Sequence, residues 1–126
     1  IFDRRLIDNG MLKLLSQEGL EVHARSIFLQ GLILMENSSR PRKFDRWDSL
    51  WKSWSEWLND NEISPLEASI RYAMSFSEIS KVLVGIDSVN QLIEIMNAAS
   101  GVLPSIPNEL YTDDSLLLNP SNWDLI

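Results

Sequence analysis

Five residues, Lys81 to Gly85 (KVLVG), constrain the fold of this chain more than any other stretch. A short run of consecutive apolar residues that ends at glycine has neither the 3.6-residue spacing of an amphipathic helix nor the alternation of a half-exposed strand. It fits a strand covered on both faces, as in a parallel sheet packed between helices. Helix starts flank it. Ser64, Pro65 and Glu67 give an N-cap, a proline at the first helical position and a capping-box carboxylate, opening a helix to about residue 75 with Leu66, Ile70, Ala73 and Met74 inward. After the strand, Ser88 and Gln91 read as a second capping box, starting a helix marked by Val89, Leu92, Ile93, Met96 and Ala99.

Upstream, Met11, Leu12, Leu14 and Leu15 predict a helix over residues ~9–18, followed by Gly19 in a position that suits a left-handed C′ residue. Leu20 to Ser26 (LEVHARS) alternates like a strand, with Val22, Ala24 and Ser26 on one face and Glu21, His23 and Arg25 on the other. Glu36 to Asp45 has loop composition. Phe44, Trp47, Leu50, Trp51, Trp54, Trp57 and Leu58 then recur at three- and four-residue steps, an aromatic helical stripe. Residues 102–126, with Pro104, Pro107 and Pro120, read as an irregular tail beside a unit spanning 1–101.

Two strands joined through helices imply right-handed parallel crossovers and an α/β chain. Two strands cannot cover several amphipathic helices, so further strands are expected from a preceding N-terminal half or from a second chain. The first residues, Ile1 to Arg5, lack a starting Met and a signal-like apolar core, which also suggests truncation at the front.

Composition narrows the function classes. With 126 residues the chain holds one modest core. The absence of cysteine excludes disulfides, thiolate chemistry and cysteine-built zinc sites, and with no 18-residue apolar run it leaves a soluble, cytoplasmic protein as the expectation. A net charge of -7 argues against nucleic-acid binding. The bases are uneven, however, since Arg40, Arg42, Lys43 and Arg46 cluster, and a local anion site stays open beside the plainer reading of a solvated loop.

In parallel α/β folds, ligands gather at the carboxyl ends of strands, here Arg25 to Gly31 (RSIFLQG) and Gly85 to Gln91 (GIDSVNQ). Taken together and in this order, Ser26, Ile27, Phe28 and Gly31, then Gly85, Gln91 and Glu94, resemble the last two βα units of the aldo/keto reductase family. Ile1 to Leu6 (IFDRRL) resembles the stretch leaving the preceding strand, so the resemblance covers roughly residues 1–100. It implies the C-terminal part of a (β/α)₈ TIM barrel, incomplete as given. It also implies an oxidoreductase that uses NADP or NAD for hydride transfer between cofactor and a small carbonyl or sugar-like substrate.

By position, the resemblance places Ser26, Ile27, Phe28 and Gly31 along the pyrophosphate and ribose, and Gly85, Asp87, Gln91 and Glu94 around the adenosine half. Arg25 stands where many relatives carry an aromatic residue against the nicotinamide, Ile27 where proline is usual, and Ile95 where asparagine often follows the glutamate. Asp87 and the lack of any base between Val82 and Ile126 lean towards NAD, unless the Arg40 to Arg46 loop reaches a 2′-phosphate. The family's tyrosine, aspartate, lysine and histidine fall on earlier strands, so neither Tyr72, Tyr111 nor His23 matches and no catalytic residue is expected in this chain. His23 reads as a satisfied interior histidine in a polar layer with Glu21 and Arg25. The tryptophan stripe reads as packing, with a non-catalytic interaction module docking through the Trp47 to Trp57 helix as the alternative.

Overall fold

The computed structural model describes residues 1–126. Its densest packing is built around the tryptophan stripe. Helix α3 (Asp48–Asp60) turns Leu50, Trp51, Trp54, Trp57 and Leu58 inward. They join Phe2, Leu32, Ile33, Phe44, Trp47, Ile63, Ala68, Leu110 and Leu117 in one hydrophobic cluster. An indole is costly to bury unless its N–H finds an acceptor. All five are satisfied: Trp47 donates to Asp114 Oδ2 at 3.0 Å, Trp51 to the Phe44 carbonyl at 3.0 Å, Trp54 to Ile33 at 3.3 Å, Trp57 to Ser105 at 2.9 Å and Trp123 to Leu117 at 2.9 Å. Trp51 and Trp54 retain 2% and 1% exposure, so this face packs within the chain and offers no partner a groove-filling helix. The docking alternative is thereby overturned.

The segment expected to be a solvated loop is also part of this packing. Residues Asn37–Ser39 and Arg42–Trp47 form two 3₁₀ turns. Arg40 is buried with its guanidinium 3.8 Å above the Trp51 ring, donating to Asn37 Oδ1 at 2.8 Å and to the Met35 carbonyl at 2.9 Å. Burial lowers its pKa from the ordinary arginine value, with Asp48 acting in the opposite direction. Lys43 stands 5.5 Å over Phe44 and Arg46 5.0 Å over Trp47. Three of the four bases thus lie over aromatic rings, whose negative faces attract cations.

Helix α4 (Pro65–Met74) begins with the capping box in full: Ser64 Oγ accepts from the Glu67 amide at 3.2 Å and Glu67 Oε2 accepts from the Ser64 amide at 2.9 Å. It buries Ala68, Ser69, Ile70 and Ala73, whereas Met74, expected inside, is exposed because it lies on the far side of the last turn. The single helix expected near the start is two, α1 (Arg5–Asp8) and α2 (Met11–Gln17), broken at Gly10. After α2 the chain makes a Schellman ending. The Leu20 amide reaches the Leu15 carbonyl at 3.1 Å, the Gly19 amide reaches Ser16 at 3.0 Å, and Gly19 has the left-handed φ of 73° that the motif requires.

Strands β1 (His23–Ala24) and β2 (Lys81–Val82) pair in parallel, His23 opposite Lys81 and Ala24 opposite Val82. Both are much shorter than the seven- and five-residue runs in the sequence, because each has a partner on one side only and the ladder ends with the Leu83 amide on the Ala24 carbonyl. Burial on both faces is not found either, since Leu83 is 48% exposed. Likewise His23 is not an interior residue: it lies at the surface, with Nε2 2.9 Å from Glu21 Oε1. Lys81 Nζ reaches the same oxygen at 2.6 Å, and these two contacts, the lysine first, hold the Glu21 carboxyl below its usual range.

Helix α5 (Val89–Ala98) packs on α4 and buries only Ala98. Arg71 fastens the two helices, donating to Glu67 at 2.6 Å, to the Ala98 carbonyl at 3.0 Å and to Val102 at 3.2 Å. Residues 102–126 form 3₁₀ turns at Asn108–Leu110 and Pro120–Leu125 around α6 (Ser115–Leu118), sending Leu110 and Leu117 into the aromatic core. No helix is long and apolar enough to cross a membrane.

Candidate functional site

The carboxyl ends of β1 and β2 lie side by side because the strands are adjacent and parallel, and the chain leaves both in the same direction. Beyond β1 the backbone is unusual. Ser26, Leu29 and Gln30 have φ of 57°, 48° and 54°, followed by Gly31 at 84°. A left-handed conformation costs a non-glycine residue about 1–2 kcal/mol, and such outliers concentrate at functional sites. Only Glu62 shares this conformation among the other non-glycine residues. Here the turn is held by Leu29 donating to the Ser26 carbonyl and Gly31 to that of Phe28, both at 2.9 Å.

Two cavities open at these ends. The first, of about 430 Å³, is lined by Arg25, Ser26, Ile27, Phe28 and Gly31 from the β1 side and by Gly85 from the β2 side. The second, of about 290 Å³, takes in Asp87, Gln91 and Glu94. Phe28 and Gly85 line both, so the nine residues singled out in the sequence border two neighbouring cavities that divide between the two segments. The first cavity is of a size that receives a small organic ligand.

Local structure explains how each side chain is held. Ser88 caps α5 by accepting from the Gln91 amide at 3.2 Å, as the sequence suggested, but the return bond is shifted. Gln91 Oε1 accepts from Asp87, at 2.7 Å, instead of from Ser88. This fixes the Gly85 to Ser88 turn against the first turn of α5, where the leading amides have no intrahelical acceptor. A Cβ placed on Gly85 would meet no atom within 4 Å, and Gly85 is not left-handed. Its lack of a side chain is therefore not required by packing within this chain.

The start of α4 is recognisable in the sequence as a helix cap but is not assigned there to the site. Ser64, Pro65 and Leu66 line the second cavity, so two helix N-termini flank it. The signal was present, since N-caps collect at strand carboxyl ends in βα units. Gln30, Leu83 and Val84 also border the first cavity. The bases Arg40, Arg42, Lys43 and Arg46 border neither. Tyr72 lies in α4 edge-on to Phe76 at 5.0 Å, outside both cavities, and burial raises its pKa above the ordinary phenol value. Tyr111 is exposed on the tail. No group of three or more histidine, cysteine or acidic residues is gathered as a metal site would need.

Parallel strands joined through helices, with cavities at their carboxyl ends, define a protein built from βα units of the barrel-forming kind. The sequence model of the aldo/keto reductase family matches residues 1–107, and the chain belongs to that family of oxidoreductases, whose fold is the (β/α)₈ barrel. No curated protein and no solved structure matches the chain.

Proposed function

We propose that this chain is the C-terminal portion of an aldo/keto reductase barrel and supplies its nicotinamide dinucleotide contacts, with the proton donor lying on strands outside these 126 residues. The observation that carries the reading is the pair of cavities bordered by Arg25 to Gly31 and by Gly85 to Glu94 at two adjacent parallel strand ends. In this reading Ser26, Ile27, Phe28 and Gly31 lie along the pyrophosphate and ribose. Gly85, Asp87, Gln91 and Glu94 surround the adenosine half, beside the amino ends of α4 and α5.

The dinucleotide, when bound, supplies the hydride, and the residues of this chain orient it. The strained Ser26 to Gly31 turn keeps its peptide groups from relaxing into a strand or helix. Asp87 and the distance of the Arg40 to Arg46 bases from the cavities favour NAD over NADP. The partial-barrel reading draws support from the flanks of the sheet. Each strand has one open edge. Helices on both sides show apolar surface, Leu14 at 49% on α2 and Val89 and Met96 at 72% and 63% on α5, where neighbouring βα units would pack. By itself the chain is then inactive in turnover.

Gly85→Val tests the cofactor assignment in the full-length protein. A Cβ at Gly85 meets no protein atom within 4 Å, so the fold is expected to be retained, while a clash with bound nucleotide costs roughly 1–3 kcal/mol and weakens NADH affinity by about tenfold or more. Fluorescence titration with NADH and with NADPH reads both the loss and the preference between them. Unchanged affinity in the folded variant would remove Gly85 from the site.

A further inference from the structure

We propose that Arg25 makes the site select carbonyl substrates bearing a carboxylate or phosphate, an inference that rests on the oxidoreductase reading above. Arg25 is the one charged residue bordering the 430 Å³ cavity. Its neighbours on the same strand face are already committed: Glu21 accepts from both His23 and Lys81. Asp87 and Glu94 border the second cavity and not the first. No ion pair within the chain includes Arg25, and the residue is exposed at the strand end. A guanidinium without a partner presents a rigid fork of donors matched to the two oxygens of a carboxylate or phosphate. In a chain of net charge -7, this attraction for an anion has to be local.

Two oxyanions could answer it, the cofactor's pyrophosphate and an acidic group on the substrate. Position favours the substrate. Arg25 also borders a third cavity of about 410 Å³, lined mostly by apolar side chains such as Leu12, Ile33 and Phe76 and by no residue of β2 or α5. It therefore borders both the strand-end cleft and an apolar chamber, whereas Asp87, Gln91 and Glu94 border neither of these two cavities. A ligand with an apolar body and an acidic group fits this junction.

The test measures dissociation constants of benzaldehyde and 4-carboxybenzaldehyde for the full-length protein loaded with NAD⁺, under which neither is reduced. The wild type is expected to bind the carboxylated aldehyde more tightly. A charge-assisted hydrogen-bonded pair is worth roughly 1.5–3 kcal/mol, so Arg25→Gln should cut that preference by about tenfold or more, and Arg25→Lys, which keeps the charge without the fork, by less. Equal preference in wild type and Arg25→Gln, or no binding of the carboxylated aldehyde, overturns the proposal. If Arg25→Gln instead weakens NAD⁺ binding with the preference intact, the guanidinium serves the pyrophosphate: the proposal fails and the cofactor reading stands. A wild-type protein that binds no dinucleotide overturns both.

Discussion

Arg40 shows how strongly one side chain can depend on its setting. Beside Arg42, Lys43 and Arg46 it looks like one more surface base, yet it is buried over Trp51 and holds the Met35 to Asn37 turn through two hydrogen bonds. Its Nε has no partner, so the site is already paying a desolvation cost that the ring and the two bonds must offset. Lysine cannot reproduce the planar fork or stack as well. Arg40→Lys is therefore expected to destabilise the protein by roughly 1–3 kcal/mol in urea denaturation, more than a surface arginine change would. Loss of less than a few tenths would mean that the stacking contributes nothing net.

At the scale of elements, α4 carries its own start signal and also the joint to α5. Ser64 and Glu67 cap each other, and Glu67 receives Arg71 one turn on, while Arg71 reaches the Ala98 carbonyl at the end of α5. The bond from the Ser64 amide is the largest of the influences that lower the Glu67 pKa below its ordinary 4.5, with Arg71 adding to it. A carboxyl depressed in the folded state contributes stability above its unfolded value, and that contribution is lost as pH falls through the folded value. The stability difference between wild type and Glu67→Gln should accordingly be full near neutral pH and shrink on acidification below 4.5. Urea midpoints of both proteins across that range check it; a difference independent of pH would show that the carboxylate charge is not what the cap uses. The partly exposed setting of Glu67 keeps this effect modest through solvent screening.

For the whole molecule, the core and the candidate site meet at Phe28, which lines both cavities and packs against the aromatic cluster, while most of the core lies elsewhere in the chain. The aromatic core joins α3, the 3₁₀ turns before it and the tail, whereas the cavities lie between the carboxyl ends of β1 and β2 and the amino ends of α4 and α5. Leu117 has no exposed surface, and the α6 turn that carries it presents Asp114 to the Trp47 indole while the tail lays Trp123 edge-on to Phe44 at 4.9 Å. Leu117→Ala should cost about 2–5 kcal/mol, the range for a large-to-small change in a packed core. A red shift of tryptophan emission is expected with it, while cofactor affinity in the folded full-length protein should stay close to wild type. Coupled loss of cofactor binding without unfolding would contradict this separation.

The sequence by itself determined the features whose physics is local. Ser64 and Glu67 had to cap a helix, Gly19 had to end one, the tryptophan spacing had to make a buried stripe, and two helix-linked strands had to be parallel. The strand-end segments were legible for the same reason, since a family motif is a run of neighbouring residues. Tertiary structure decided what depends on partners distant in the chain. Whether β1 and β2 extend beyond two residues each depends on neighbours that only a sheet provides, and no periodicity records how many are present. The placing of Arg40 under Trp51's influence, the return of Leu110 and Leu117 to the core, and the meeting of Ser64 with Asp87 around one cavity all bring together residues far apart in sequence. Such contacts are set by which surfaces minimise exposed apolar area once the helices have formed, a global balance that local spacing does not encode.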